Sequence, residues 1–231
     1  MMPSPDAPLF TFRDNGQSSP ERQSDGAVDH LRTLIITLAL EPGSAINEVA
    51  LSQRMGYGRT PLREAFFRLA DEHLLVILPH RSVAVAPLAI TDLQQIYEAR
   101  TELECAAARL AAQRITDAEV VAIDECEQQL ETLAEKSDAE SFCRWAVWHF
   151  EFHRLIARAC KNEYLRDSIH RVVPPALRLD FFLFQHGAKG KDRARNHISI
   201  VEALRAHDSA AAEDAMRRHI AGSKERTLSF L

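Results

Sequence analysis

The chain has 231 residues, 46% of them hydrophobic, and a formal net charge of −5. That length allows one or two domains with substantial cores, and the acidic balance excludes a protein coated in basic charge, so any footprint for a polyanion must be local. No apolar run approaches the roughly 20 residues of a membrane span and no signal peptide opens the chain; the four cysteines, Cys105, Cys126, Cys143 and Cys160, lack metal-type spacing. They are expected to be small core residues of a reduced, cytoplasmic protein that meets no membrane.

Residues 1–27, polar and rich in Pro, Ser and Asp, are predicted to form a disordered arm. Val28, Leu31, Leu34, Ile35 and Leu38 then recur at helical spacing, and Pro42-Gly43 ends that helix. A second short helix is expected from about Asn47 to Met55, with Gly56-Tyr57-Gly58 as a tight turn after it. The stretch GRTPLREAFFRLADEHLL, Gly58 to Leu75, predicts a third helix starting at Thr60, whose side chain would cap the first turn, with Pro61 in the first helical position and Glu64 close to the positive helix end. Leu62, Ala65, Phe66 and Leu69 form its buried stripe, which leaves Arg59, Thr60 and Arg63 clustered at its exposed N-terminal end. Leu75 to Leu78 and Val83 to Val85 are predicted strands around a basic tip, Pro79-His80-Arg81-Ser82. Three helices and a basic hairpin make a winged helix over residues 28–87. Within it six Arg (32, 54, 59, 63, 68, 81) balance six acids (29, 41, 48, 64, 71, 72), so arginines at one helix tip and at the wing must supply the footprint.

This segment resembles the winged-helix domain of the GntR superfamily of bacterial transcription regulators, whose turn and recognition helix usually read Ser/Thr-Arg-Thr-Pro-Val/Leu-Arg-Glu-Ala. Arg59, Thr60, Pro61, Leu62, Arg63, Glu64 and Ala65 match that pattern. The resemblance implies DNA contacts from Gly58, Arg59, Thr60, Arg63, His80 and Arg81. Four positions depart from it: Gly58 stands where a phosphate-binding Ser or Thr is common, His73 where a helix-ending Gly is usual, Ser82 where the wing commonly has Gly, and Val49 where some members place a DNA-contacting Arg.

After Pro87 only helical periodicity remains, in segments at roughly 91–115, 117–136, 138–160, 162–186, 191–207 and 209–228, the fourth expected to break at Pro174-Pro175. Residues 88–231 are therefore predicted to be an all-helical bundle of six or seven helices, making the chain mainly α. This part resembles the FCD effector domain of the FadR-like GntR subfamily.

Polar groups on apolar faces mark the bundle interior. Leu93, Tyr97, Arg100, Glu104, Ala107 and Ala111 share one stripe, so Arg100 and Glu104 point inward, either as a mutual ion pair or toward a ligand. In the FCD family the Arg matching Arg100 faces the effector pocket, with Glu104 expected to orient it. His149 and His153 lie one turn apart on an inward arc with Trp145, Phe152 and Ile156; His197 shares a stripe with Val201 and Leu204, and His219 with Ala212 and Met216. Four inward histidines on three helices point to a divalent transition metal, Zn²⁺ or Ni²⁺, the alternative being hydrogen-bonded core residues. His170, His186 and His207 fall off these faces, and Glu151 points elsewhere. In metal-binding FCD members an Asp and a His four residues apart precede one His in each of the last two helices. His153, His197 and His219 match, while His149 stands in place of the Asp.

The resulting expectation is a homodimeric repressor, not an enzyme, that binds a pseudo-palindromic double-stranded operator and responds to a small carboxylate bridging metal and Arg100. Two rivals remain at this level: the metal as the signal itself, and a metalloenzyme fused to a DNA-binding module, against which no general base stands out beside the histidines.

Overall fold

The computed structural model describes residues 20–79, 82–89, 91–136, 138–186 and 197–229. They fall into two compact units, divided after Ala89. The N-terminal unit contains α1 (Pro20–Ile36), α2 (Glu48–Met55), α3 (Arg59–Asp71) and a wing of β1 (Leu75–Ile77) and β2 (Val83–Val85). The strands pair antiparallel with Leu75 opposite Val85 and Ile77 opposite Val83, and Ala45 bridges to Ala84 on the outer side of β2. Leu31, Leu34 and Ile35 of α1, Leu51 and Met55 of α2, Leu62, Phe66 and Leu69 of α3, and Val85 of the wing close a single core.

Three local expectations need correction. The first helix begins at Pro20, so residues 20–27 are helical rather than part of a disordered arm. Proline suits a first helical position, and polar anchors to α3 hold the added turns: Ser24 Oγ donates to Glu64, and Arg68 Nη1 donates to Asp25 at 2.6 Å. Glu64 is therefore engaged with α1, not with the end of its own helix. The third helix begins at Arg59 with Gly58 as its N-cap, which offers no side-chain bond, so Thr60 is not the cap. Pro174 and Pro175 do not divide their helix, because α7 runs unbroken from Glu163 to Gln185. Buried neighbours on both sides, Val173, Ala176 and Leu177, hold the two turns that lack proline N–H donors.

Helix ends show how the turns are set. Asn47 caps α2 by accepting from Val49 and Ala50, and Gly56 ends it at φ 74°, a left-handed geometry glycine adopts without strain. His73 takes the same conformation, φ 57°, after α3, and Leu74 N–H reaches back to the Leu69 carbonyl at 2.9 Å. The usual glycine is absent, yet the chain still makes the left-handed turn. Arg32 binds Glu72 with two parallel bonds, Nε to Oε2 at 2.9 Å and Nη2 to Oε1 at 2.7 Å, tying α1 to the end of α3.

The second unit contains α4 (Thr91–Arg114), α5 (Asp117–Ala134), α6 (Ala139–Ala159), α7 (Glu163–Gln185), α8 (His197–Arg205) and α9 (Ser209–Leu228). Thr116 and Glu119 form a reciprocal capping box on α5, and Asp138, Asn162 and Asp208 cap α6, α7 and α9. The expected start of the fifth bundle helix at 191 lies outside the described residues. α4 packs against α6, α7, α8 and α9, and so lines the bundle interior. All four cysteines are buried and free, and burial pushes the Cys105 and Cys143 thiols up to about 11, far from the reactive thiolate range. Among the described residues, no helix is long and apolar enough to cross a membrane.

Candidate metal centre and nucleic-acid interface

Helical spacing on α6 aims His149 and His153 at the same point inside the bundle, and α9 brings His219 to it. The three Nε2 atoms form a triangle with sides of 3.2 Å (His149 to His153), 3.3 Å (His153 to His219) and 3.5 Å (His149 to His219). Donor nitrogens about 2.0–2.1 Å from a tetrahedral zinc lie about 3.3–3.4 Å apart, so the triangle has the dimensions of three ligands of one ion. This buried three-histidine cluster can bind a metal. His197, the first residue of α8, is fully buried beside it, 4.5 Å from His219 and 5.3 Å from His149 between ring centroids, and neither of its ring nitrogens is hydrogen-bonded. Its nitrogens do not join the triangle.

Burial keeps the His149, His197 and His219 imidazoles neutral. Burial first, and the neighbouring histidines second, hold His149 and His219 well below the ordinary imidazole value; burial, His153 and Arg226 bring His197 down to about 3. Neutral imidazoles keep the lone pairs a metal requires. Trp145 stacks on His149 at 4.5 Å, and Phe152 packs edge-on against His197 at 4.9 Å, which fixes the rings.

Behind the triangle lies a feature that sequence reasoning assigned only in part. Glu104 Oε1 accepts from Arg100 Nε at 2.7 Å, as the i, i+4 spacing suggested, but its Oε2 lies against His153 Nδ1 at ion-pair distance. A carboxylate on Nδ1 favours the tautomer with its proton there, leaving the Nε2 lone pair directed into the triangle. Burial would raise the Glu104 carboxyl, but Arg100 and His153 outweigh it and bring it down to about 2. The fully buried Arg100 keeps Nη2 without a partner, and its guanidinium stands 5.4 Å from the Tyr97 ring centroid. The Tyr97 hydroxyl in turn meets Ser223 Oγ at 3.0 Å and Thr227 Oγ1 at 3.1 Å, joining α4 to α9 beside the site. Glu151 pairs with Arg154 instead, Oε2 accepting from Nε at 2.6 Å. His207 and His186 bind backbone carbonyls away from the cluster.

In the N-terminal unit, Gly58, Arg59, Thr60 and Arg63 stand exposed together at the start of α3. His80 and Arg81 lie outside the described residues.

The sequence matches the FCD domain over residues 95–222 and the family described as bacterial regulatory proteins, gntR family, over residues 23–85. The chain is a GntR-family regulator with an FCD domain. Among relatives of this GntR protein, the HTH-type transcriptional repressor RspR of Escherichia coli (strain K12) is 28% identical over 194 residues, 82% of each chain. The HTH-type transcriptional repressor GlaR of the same organism is 27% identical over 197 residues, 82% of this chain and 89% of GlaR. Both are named as transcriptional regulators, not enzymes. The solved structure of E. coli McbR/YncC superposes with a TM-score of 0.77 at 20% identity, covering 92% of this chain and 99% of that one, which shows a shared fold. The fold is thus a winged helix with a small β wing followed by the all-α FCD bundle.

Proposed function

We propose that this GntR-family protein is a homodimeric repressor whose operator binding is controlled by a small carboxylate at a divalent-metal site in the FCD bundle. The observation that carries the reading is the Nε2 triangle of His149, His153 and His219 with the unpartnered Arg100 Nη2 in the same buried interior. A bound Zn²⁺ or Ni²⁺ would supply an open coordination position for an anionic oxygen, with His197 beside it as a candidate fourth donor. Arg100 would take the rest of a carboxylate through its free N–H groups. Glu104 holds both Arg100 and His153 in place, so one acid serves anion and metal alike. A fully buried guanidinium with an unused donor supports an organic-anion effector over a site where the metal alone is the signal. Effector and DNA occupancy then bias each other by linkage. A thermal-shift series with small carboxylates, before and after chelation, tests this. Stabilisation that weakens on chelation is expected, and an unchanged response would refute the metal's part in effector binding.

On the DNA side, Arg59 and Arg63 supply the charged contacts at the tip of α3, with Gly58 and Thr60 close to the backbone and His80 and Arg81 as the wing's contribution. Each arginine contact is worth about 1–3 kcal/mol, so Arg63→Ala is expected to abolish operator shifts at moderate salt while circular dichroism stays helical. Unchanged affinity in both Arg59→Ala and Arg63→Ala would remove α3 from the interface. A single winged helix covers too little DNA for useful specificity, so sedimentation at micromolar concentration is expected to give twice the chain mass. A strict monomer that binds a full operator tightly would contradict the dimer.

A further inference from the structure

The tip of α3 holds an acid that a DNA-binding surface does not need for charge. Arg63 Nε donates to Glu48 Oε1 at 3.0 Å and to Oε2 at 3.3 Å, across the turn between α2 and α3. The Arg63 side chain is 59% exposed and that of Glu48 28%, and ion pairs this wet add little stability. A carboxylate here also repels a phosphate backbone, which makes it a cost to generic DNA affinity. Its placement is nonetheless well determined. Glu48 is the first residue of α2, where the helix end favours negative charge, and the Asn47 cap accepting from Val49 and Ala50 fixes the backbone beneath it.

Both hydrogen bonds use Nε alone. That leaves the Nη1/Nη2 edge of the guanidinium, the edge able to grip guanine O6 and N7 with two parallel bonds in the major groove. A free arginine on a helix tip samples many rotamers, and holding Nε restricts it to those that project the far edge outward. We propose that Glu48 is a positioning residue that fixes Arg63 to read a guanine in each operator half-site, trading generic affinity for discrimination. The inference rests on the reading of α3 as the helix that enters the major groove.

The test is selection from a random-sequence duplex library, at salt low enough for Arg63→Ala still to bind DNA, by full-length wild type, Arg63→Ala, Glu48→Ala, Glu48→Gln and the Glu48→Ala, Arg63→Ala double variant. Affinities are then measured at fixed salt for the selected duplex, for the same duplex with the guanine pair changed to A·T, and for a non-specific duplex. Wild type is expected to select a guanine that Arg63→Ala no longer selects. Glu48→Ala is expected to relax that same position, lowering discrimination against A·T by about 5-fold or more, with non-specific affinity equal or higher. Glu48→Gln, whose amide oxygen can still accept from Nε, should retain part of the preference, and the double variant should discriminate no worse than Arg63→Ala alone. Wild-type base preference in both Glu48 variants, or relaxation at positions other than the one Arg63 controls, would overturn the proposal. Selection by Arg63→Ala of the wild-type motif would instead overturn the prior reading of Arg63, so the two failures are distinct. Should Glu48→Ala fold poorly, Glu48→Gln, nearly identical in shape, carries the comparison.

Discussion

Glu104→Ala is expected to be among the most destabilising single substitutions in the bundle. The Arg100 and Glu104 side chains are 1% and 2% exposed, and removing the acid takes away the guanidinium's direct ion-pair partner, leaving only the weaker pull of Asp180 where one donor already lacks a partner. Breaking a buried pair in this way costs about 3–5 kcal/mol, a large share of the roughly 5–15 kcal/mol of a whole domain. At about 2–4 °C per kcal/mol for a chain of this size, the melting temperature should fall by roughly 6–20 °C. Replacing both partners, Arg100→Met with Glu104→Leu, should recover much of that loss because no charge remains to be stranded. Glu104→Gln separates stability from site chemistry. It keeps the volume and an acceptor for Arg100 but withdraws the carboxylate from His153, so metal affinity should drop about 10- to 100-fold, as for other lost partners of ligand imidazoles. Thermal unfolding and metal titration read these outcomes. Wild-type melting of Glu104→Ala would mean that Arg100 finds another partner, and the account of the ion pair would fail.

The inward positions were legible because helical periodicity is strict. A stripe that contains Tyr97, Arg100 and Glu104 among Leu93 and Ala107 can only bury them, and all are buried. The recognition-helix pattern likewise placed Arg59 and Arg63 at one exposed tip. Local competition between signals was harder to read. Thr60-Pro61 looks like a cap followed by a first turn, but the helix gains one further residue by starting at Arg59, with Glu64 drawn to Ser24 instead of its own helix end. Polar residues 20–27 carry no hydrophobic stripe of their own and are held by contacts with α3 that no local pattern reveals. Pairings across distant helices were the least visible. Glu104 on α4 and His153 on α6 are almost fifty residues apart, so periodicity gives each an inward direction but not a partner. The same holds for His197: its stripe is apolar as expected, yet the position of α8 leaves its nitrogens outside the triangle made by His149, His153 and His219.

Purified protein is expected to carry a near-stoichiometric divalent transition ion, lost in a His153→Ala, His219→Ala double variant because two of the three nitrogens of the triangle disappear. His197→Ala should weaken binding less than either member of the triangle, since its nitrogens lie outside that set. Chelation should lower the melting temperature and return of metal restore it, as a ligand bound only to the folded state requires. Charge then determines what else the site accepts. With an ion bound, its two positive charges and one from Arg100, against one negative charge from Glu104, would leave an excess of about two, with Arg226 and Asp180 nearby offsetting each other. Such a buried site would favour carboxylates over neutral sugars and amines. His149→Asp tests that balance directly. The substitution places a carboxylate at a triangle position, so metal binding should persist or strengthen, while stabilisation by an anionic effector should weaken as the pocket loses one unit of positive charge. Wild-type protein that contains no metal, has the same stability before and after chelation, and responds identically to carboxylates in both states would instead mean that the four histidines are core residues, with His149, His153 and His219 bonded to one another.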